Sequence, residues 1–366
     1  MQEIANRKDI QEMRMLRIPE YRDSTRVIPE NERLESAPLL YFEWPVSVPK
    51  PFVGLVKSER GNDAYWPKFE RFLNTNKIHY KELDIKASNF ISECKNLDII
   101  VWRTLSNYVD QWEAADKVEF IQDSLGKLIL PPRQALWMDE DKIRAQWLFE
   151  LNHLPVINTF VSYSKEETKK HIETCQYPFI SKDKTCSRSK GVHLIENKKQ
   201  ARTLMEKVFD GGLKLNNSYV KQKNYVYFQK FVLNKGFDLR VIMIGNSYFG
   251  YYRFPKKGDY RASGSGIVAK KDIPLEVLLL AKKVRDCLPK SYLLAVDFLQ
   301  ATHDDKYFII EASIFITMES CEQLVVNGVA GRYLEQDDKF TFEPGRFWIQ
   351  ELMMEELMKD WVLKNS

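Results

Sequence analysis

Apolar positions along the chain fall into short runs broken by turn residues, and their spacing switches between strand-like and helix-like periods. PFVGLV (residues 51–56) is a continuous apolar run of the kind a buried strand shows. IHYKELDI (78–85), LDIIVWR (97–103) and KLILPP (127–132) are three more, the last stopped by its prolines. Between the first two, Trp66, Phe69 and Phe72 share one face of a helical segment, and a further helix holding Trp112 follows the third run. Strand–helix alternation of this kind predicts an open, mostly parallel sheet. The first lobe is expected to cover residues 46–136, after an N-terminal extension, 1–45, whose charge and prolines make it an arm free to pack on a neighbour.

A second pattern begins at WMDEDKIRAQWLFELNHLPV. Lys142 sits early in a helix whose apolar face is read as Ile143, Trp147 and Leu151. Ser164 with Glu167 is a capping box opening another helix. YPFISK (177–182) is a strand running into the loop DKTCSRSKGV, and a helix is expected over 198–209. Strands resume at Tyr225 with YVYFQKFVLNKGFDLRVIMIG, followed by the turn YRASGSG, an amphipathic helix, LLAVDF and YFIIEAS. Residues 344–366 form a terminal helix with Trp348, Leu352, Leu357 and Trp361 on one side. Its other side carries Glu351, Glu355, Glu356 and Asp360, which favours packing over lying on an anionic membrane.

Length and composition narrow the choices. A chain of 366 residues suits two or three lobes around a shared cleft. A net charge of +4 with 29% charged residues, and no basic run interleaved with aromatics, argues against nucleic acid. No apolar run approaches the roughly 20 residues of a membrane span, and the first residues lack the apolar core of a signal peptide. The five cysteines and five histidines form no ligand spacing, so a reducing, cytoplasmic setting is expected.

The chemistry-bearing residues concentrate between Tyr225 and Ser313. Asp297 and Glu311 are read as acids at the ends of two neighbouring strands, at one level, and such a pair implies a cation between them. Mg²⁺ held between Asp297 and Glu311 answers that need. Lys182 is placed to reach phosphate oxygens, and Ser187 and Ser189 lie in a loop able to fold over them. Gln229, Lys230, Phe231 and Val232 can present backbone groups to an adenine, and Asp238 a carboxylate to a ribose. Arg240 shares Asp238's face of a strand, where it can steady phosphoryl charge. Arg261, with the donor-rich turn Ser263, Gly264 and Ser265, suits a γ-phosphate or a substrate carboxylate. Arg103, Arg253 and Lys256 are further anchors for an acidic substrate.

In this order the residues resemble the ATP-grasp superfamily, in the branch of the ribosomal-protein glutamate ligases and related carboxylate–amine ligases. DEDK (139–142) is similar to the segment of the first ATP lysine, and PFISK to the strand of the second. YFQKFV is similar to the adenine hinge, FDLRVIMIG to the strand of the ribose acid and an active-site arginine, and VDF with FIIEAS to the metal-bearing strands. The resemblance implies a fold of mixed α/β and α+β type: an open α/β lobe, a small ATP-grasp lobe with a lid loop (137–228) and a large lobe with the metal site (229–343). It also implies ATP and Mg²⁺, transfer of the γ-phosphate to a small-molecule or peptide carboxylate, and attack of an amine on the acylphosphate. It leaves room for a homodimer. The chain departs from the pattern at Ser313, whose hydroxyl stands as the third metal ligand where the family has an asparagine, and in a lid loop poor in glycine. Two other readings therefore stand beside the ligase: an ATP-grasp phosphotransferase acting on a small molecule or sugar, and an ATP-binding regulatory protein without turnover.

Overall fold

The structure, a computed structural model, describes residues 33–59, 64–139, 141–185, 191–214, 221–317 and 320–366, with the backbone alone at residue 108. The first lobe is β1 (Val53–Leu55), α1 (Trp66–Thr75), β2 (Tyr80–Glu82), α2 (Phe90–Lys95), β3 (Ile99–Val101), α3 (Tyr108–Glu119), β4 (Leu128–Leu130) and α4 (Arg133–Met138). Its four strands pair in parallel in the order β2-β1-β3-β4, as the alternation predicted. Every residue of β1 and β3 is buried, which is why these strands read as unbroken apolar runs.

The next elements are α5 (Lys142–Leu151), β5 (Thr159–Ser162), α6 (Lys165–Thr174), β6 (Phe179–Lys182), β7 (Val192–Ile195), α7 (Lys198–Glu206), β8 (Leu213–Lys214), β9 (Lys221–Gln222) and β10 (Val226–Lys230). A four-stranded antiparallel sheet forms in the order β5-β10-β6-β7. Helices α6 and α7 cover one of its faces through Ile172, Ala201, Leu204 and Met205 against Phe179, Ile195, Val226 and Phe228. Ser164 caps α6, accepting from the Glu167 backbone N–H at 3.2 Å. The box is only half made, because the Glu167 carboxylate accepts from the Ser162 hydroxyl instead.

The third part holds β11 (Asn234–Ile244), β12 (Ser247–Phe254), β13 (Ile267–Ala269), α8 (Leu275–Cys287), β14 (Leu294–Ala301), β15 (Tyr307–Ser313), β16 (Val325–Val326), β17 (Val329–Gln336), β18 (Lys339–Pro344) and α9 (Ile349–Asn365). Its eight-stranded sheet runs β15-β14-β11-β12-β17-β16, with β13 beside β12 and β18 beside β17. One continuous apolar core joins this sheet to the first lobe. No described helix is long and apolar enough to cross a membrane.

Two helix-face expectations, and one about the N-terminal arm, are corrected. In α5 the expected apolar stripe is largely outside, with Trp147 47% and Leu151 74% exposed. The helix instead buries Lys142, Ile143, Ala145, Gln146 and Phe149, because it packs on β15 and on Tyr227, whose hydroxyl donates to Gln146. In α9, Glu351 is not on a solvated face: it is 2% exposed and takes both Nε and Nη2 of Arg71 on α1, at 2.6 and 2.8 Å. The described part of the N-terminal arm packs on its own chain. Arg71 Nη1 donates to the Leu34 and Ala37 carbonyls, and the Trp348 indole donates to the Leu34 carbonyl.

Candidate functional site

The large sheet presents a row of charges to the gap between it and the small sheet. Asp238 on β11 is the register partner of Arg253 on β12; Arg240 on β11 is the partner of Asp297 on β14; and Asp297 is the partner of Glu311 on β15. Alternation along β11 puts Asp238 and Arg240 on one face. Arg240 grips Asp297 with two parallel bonds, Nε to Oδ1 at 2.7 Å and Nη2 to Oδ2 at 2.9 Å. Arg253 donates Nε to Asp238 at 2.5 Å and reaches over β11 to donate Nη2 to Asp297 Oδ2, also at 2.5 Å. Side-on guanidinium–carboxylate pairing of this kind combines strength with directional control. Burial alone would raise the Asp297 carboxyl, but Arg240 and Arg253 outweigh it and hold the group well below the usual carboxylate range. Gly250 keeps the row close: a β-carbon there would lie 2.5 Å from the Arg240 carbonyl.

Two lysines complete the cluster. Asp141 caps α5, accepting from the Ile143 and Arg144 backbone N–H groups at 3.0 and 3.1 Å, which sets Lys142 at the first helical position. Lys142 then pairs with Glu311 at 3.0 Å. Lys182, at the end of β6, has no carboxylate within ion-pair distance among the described residues, and its ammonium lies 5.7 Å from the centre of the Tyr227 ring. Burial pushes it down to about 8; Glu311 opposes that shift and Lys142 adds to it.

All of these charged groups but Arg240, which lies behind Asp297, line a cleft of about 980 Å³. Its charged floor is Lys142, Asp238, Arg253, Asp297 and Glu311, and its opposite wall is largely apolar, with Ile157, Ile180, Val192, Phe231 and Val232. Two irregularities open the floor. The β14–β15 register skips a residue between Asp297 and Phe298, so that adjacent Ile310 and Glu311 both line the cleft. A second shift lies between Asn234 and Asp238 on β11, where the Asn234 side chain accepts from the Gly236 N–H at 2.9 Å and Gly236 takes φ +78°. Strand β10 ends at Lys230, so Phe231 and Val232 line the cleft from a non-strand connection to β11.

The expected site residues fare differently. Lys142, Lys182, Gln229, Lys230, Phe231, Val232, Asp238, Arg261, Ser263, Asp297 and Glu311 all line this one cleft. Asp297 and Glu311 do not end their strands: β14 continues to Ala301 and β15 to Ser313. The cations that balance them are arginines and a lysine supplied by the protein itself. Gln229 donates its side-chain amide N–H groups to Thr159 and Tyr227. Arg240 is turned to Asp297, while Arg261 is paired at the rim with Asp259 at 2.9 Å. Gly264, at φ +79°, and Ser265, whose hydroxyl accepts from the Ile267 N–H, sit beyond the lining residues; Ser313 sits opposite Ala295, also outside them. Ser187 and Ser189 lie outside the described residues. Arg103 is no anchor in this cleft: it pairs with Glu59 at 2.9 Å and lies over the Tyr65 ring. Arg253, read from sequence as an anchor for an acidic substrate, is the centre of the charge row, a role visible only once β12 is set beside β11.

No described group of three acids, histidines or cysteines forms a cage by itself. Mg²⁺ is commonly held by one or two carboxylates together with substrate phosphates, and ligands must be ionised. Glu311 faces the cleft, and Asp297 Oδ1 accepts one bond where a carboxylate oxygen has two lone pairs. These two oxygens fit a metal shared with a polyphosphate.

A second concavity, about 1690 Å³, lies between α3, α4 and α5, lined by Trp112 and Trp137. It is larger, but its Arg133, Arg144 and Lys184 are each paired with Asp123 or Asp141 at 3.2 to 3.5 Å, so its described lining residues include no such uncompensated cation.

Comparison with known proteins agrees with the geometry. Residues 139–335 match the model of the RimK-like ATP-grasp domain, a span that contains the whole charge row, both lysines and the residue 230–232 connection. Among solved structures the chain is similar to D-cycloserine synthetase, at 12% identity over 84% of this chain and 99% of that one, with a TM-score of 0.56. It is also similar to carboxyaminoimidazole ribonucleotide synthase from Aspergillus clavatus, solved with ATP (12% identity, 87% and 99% covered, TM-score 0.52). A RimK domain ATP-grasp protein from Sphaerobacter thermophilus aligns at 16% identity over 72% of this chain and 91% of that one, with a TM-score of 0.50. At such identities the likeness establishes the fold. Among curated proteins none matches the chain by sequence. Because the matched span covers more than half of its residues, the chain belongs to the RimK-like ATP-grasp domain family.

Proposed function

We propose that the protein is an ATP-dependent carboxylate–amine ligase. The observation that carries the reading is Lys182: a half-buried ammonium without an ion-pair partner among the described residues, facing a floor of arginines and acids. Such a cation calls for an anion. A nucleotide laid along the cleft supplies one, with its base against Ile180, Phe231 and Val232 and its phosphates between Lys142, Lys182 and Glu311. In this reading residues 46–136 are the lobe preceding the fold, 137–228 its small lobe and 229–343 its large lobe.

The reaction is a phosphoryl transfer followed by an acyl transfer. A carboxylate oxygen attacks the γ-phosphorus, the bond to ADP breaks, and an acylphosphate forms. An amine nitrogen then attacks the acyl carbon, phosphate leaves, and the nitrogen loses a proton. The protein's part is to position and to balance charge. Lys142 and Lys182 hold the phosphates, and Arg240 and Arg253 spread positive charge where the γ-phosphoryl group moves. Arg261 and Ser263 at the rim orient the incoming carboxylate, and the apolar wall excludes water from the acylphosphate. Bound through Glu311 and Asp297 Oδ1, Mg²⁺ would supply neutralisation of the phosphate oxygens. The acid and amine are small molecules or peptide ends.

The test is ATP turnover with mixed pools of acids and amines, using ¹⁸O-labelled carboxylates. A ligase transfers one ¹⁸O from the acid to the released phosphate. Phosphorylated acceptor without free phosphate would select the phosphotransferase reading. Ser313 in place of asparagine favours a protein that binds ATP without turnover; ATP binding with no product from any pool, and product on Ser313→Asn, would select that reading.

A further inference from the structure

The two acids a divalent cation would use are already neutralised. Asp297 accepts three N–H bonds from two arginines, and Glu311 holds Lys142. Counting the cluster, the cations Lys142, Lys182, Arg240 and Arg253 face the carboxylates Asp238, Asp297 and Glu311, which leaves a net charge of +1 before any ligand arrives. At a position 1% exposed, with little water to screen it, this excess disfavours a free dication. A polyphosphate reverses the sign. It also competes for the guanidinium groups: a guanidinium has five N–H donors, and Arg240 spends two of them on Asp297.

We infer that Arg240 and Arg253 act as a clamp that closes Asp297 to divalent cations until a nucleotide's phosphates are in the cleft, so that metal enters only with the nucleotide. This rests on the nucleotide reading of the cleft above. Arg253 couples the two ends of the site, because it holds Asp238 and Asp297 at once. A phosphate that draws Arg253 or Arg240 forward frees a second lone pair on Asp297 at the moment a metal becomes useful. Both arginines are positioning residues in this role, since they act through Asp297.

Mn²⁺ is the probe, because it takes the same hard oxygen ligands and its binding is read by electron paramagnetic resonance. The whole chain is titrated with Mn²⁺ alone and with the non-hydrolysable nucleotide AMP-PNP. The clamp predicts no cleft Mn²⁺ without nucleotide and one bound ion with it, lost on Glu311→Gln. Arg253→Met or Arg240→Met raises nucleotide-free Mn²⁺ affinity by about tenfold or more, as expected when a fixed positive charge beside a carboxylate is removed. Arg240→Lys, which keeps the charge, stays closed. Wild-type chain binding Mn²⁺ at Glu311 equally well with and without AMP-PNP overturns the clamp while leaving the nucleotide site intact, and this result needs no variant to fold. So do folded methionine variants, checked by thermal melting, with unchanged nucleotide-free affinity. Failure of AMP-PNP to bind overturns the nucleotide reading, and the clamp with it.

Discussion

The two sides of the cleft are built on opposite principles. Its floor, on the large sheet, is made of buried charges paired with one another across β12, β11 and β14. Its other wall, on the small sheet, is largely apolar and carries Lys182, without a carboxylate in reach among the described residues, with Lys230 exposed at the end of β10. The floor is therefore structural and chemical at once: removing a charge there harms the fold before it harms binding. Lys182 is the reverse. None of the described residues pairs with it, and its charge carries a desolvation cost that an anionic ligand would relieve.

The comparison breaks most visibly at Asp297. Asp297→Ala strips the acceptor from two buried guanidinium groups and should cost about 3–5 kcal/mol, the range for breaking a buried ion pair. A urea midpoint unchanged from wild type would show that the row is not load-sharing in the fold. Lys182→Ala should leave the urea midpoint unchanged or raised, and weaken AMP-PNP by about 1.5–3 kcal/mol, the range for a bond to a charged group. Calorimetry measures this directly, and an equal loss of stability from both substitutions would erase the distinction between the two sides.

A pH series sharpens the same point. The Lys182 ammonium titrates near 8 in the ligand-free fold against an ordinary 10.5. Below about 8 both folded and unfolded chains hold the proton, and the penalty for burying the charge is fully present. Between about 8 and 10.5 the unfolded chain binds more protons, so this group's contribution to stability improves as pH rises. Nucleotide binding runs the other way, because phosphate favours the charged form: affinity should fall above pH 8, with proton uptake on binding there. Lys182→Met should flatten both trends, and an unaltered pH profile in that variant would assign them elsewhere. The smallest effect is expected at Ser313, which lies outside the cleft lining. Ser313→Asn should tighten Mn²⁺ in the nucleotide complex only slightly, and a large gain in turnover would identify the native serine as a block.

The parallel first sheet was legible because β1, β3 and β4 are apolar runs between helical segments. The acids at one level on β14 and β15 were legible too, since each follows a short hydrophobic run. What balances them was not. The cross-strand register that hands Arg253 to both Asp238 and Asp297 has no trace in local sequence, so a metal was the natural counter-charge to expect where arginines already stand. Amphipathic reading failed in α5 for a related reason: its inner face carries Lys142 and Gln146, polar residues whose partners come from β15 and β10. Glu351 was misplaced because Arg71, 280 positions away, holds it inside.

The most direct test of the account is a crystal structure of the whole chain with AMP-PNP and Mg²⁺. The account predicts the base beside Ile180, Phe231 and Val232, and the phosphates between Lys142, Lys182 and Glu311, with the Asp297 arginines turned toward them. Nucleotide seated instead between Trp112 and Trp137, or phosphates away from Lys182, would contradict it.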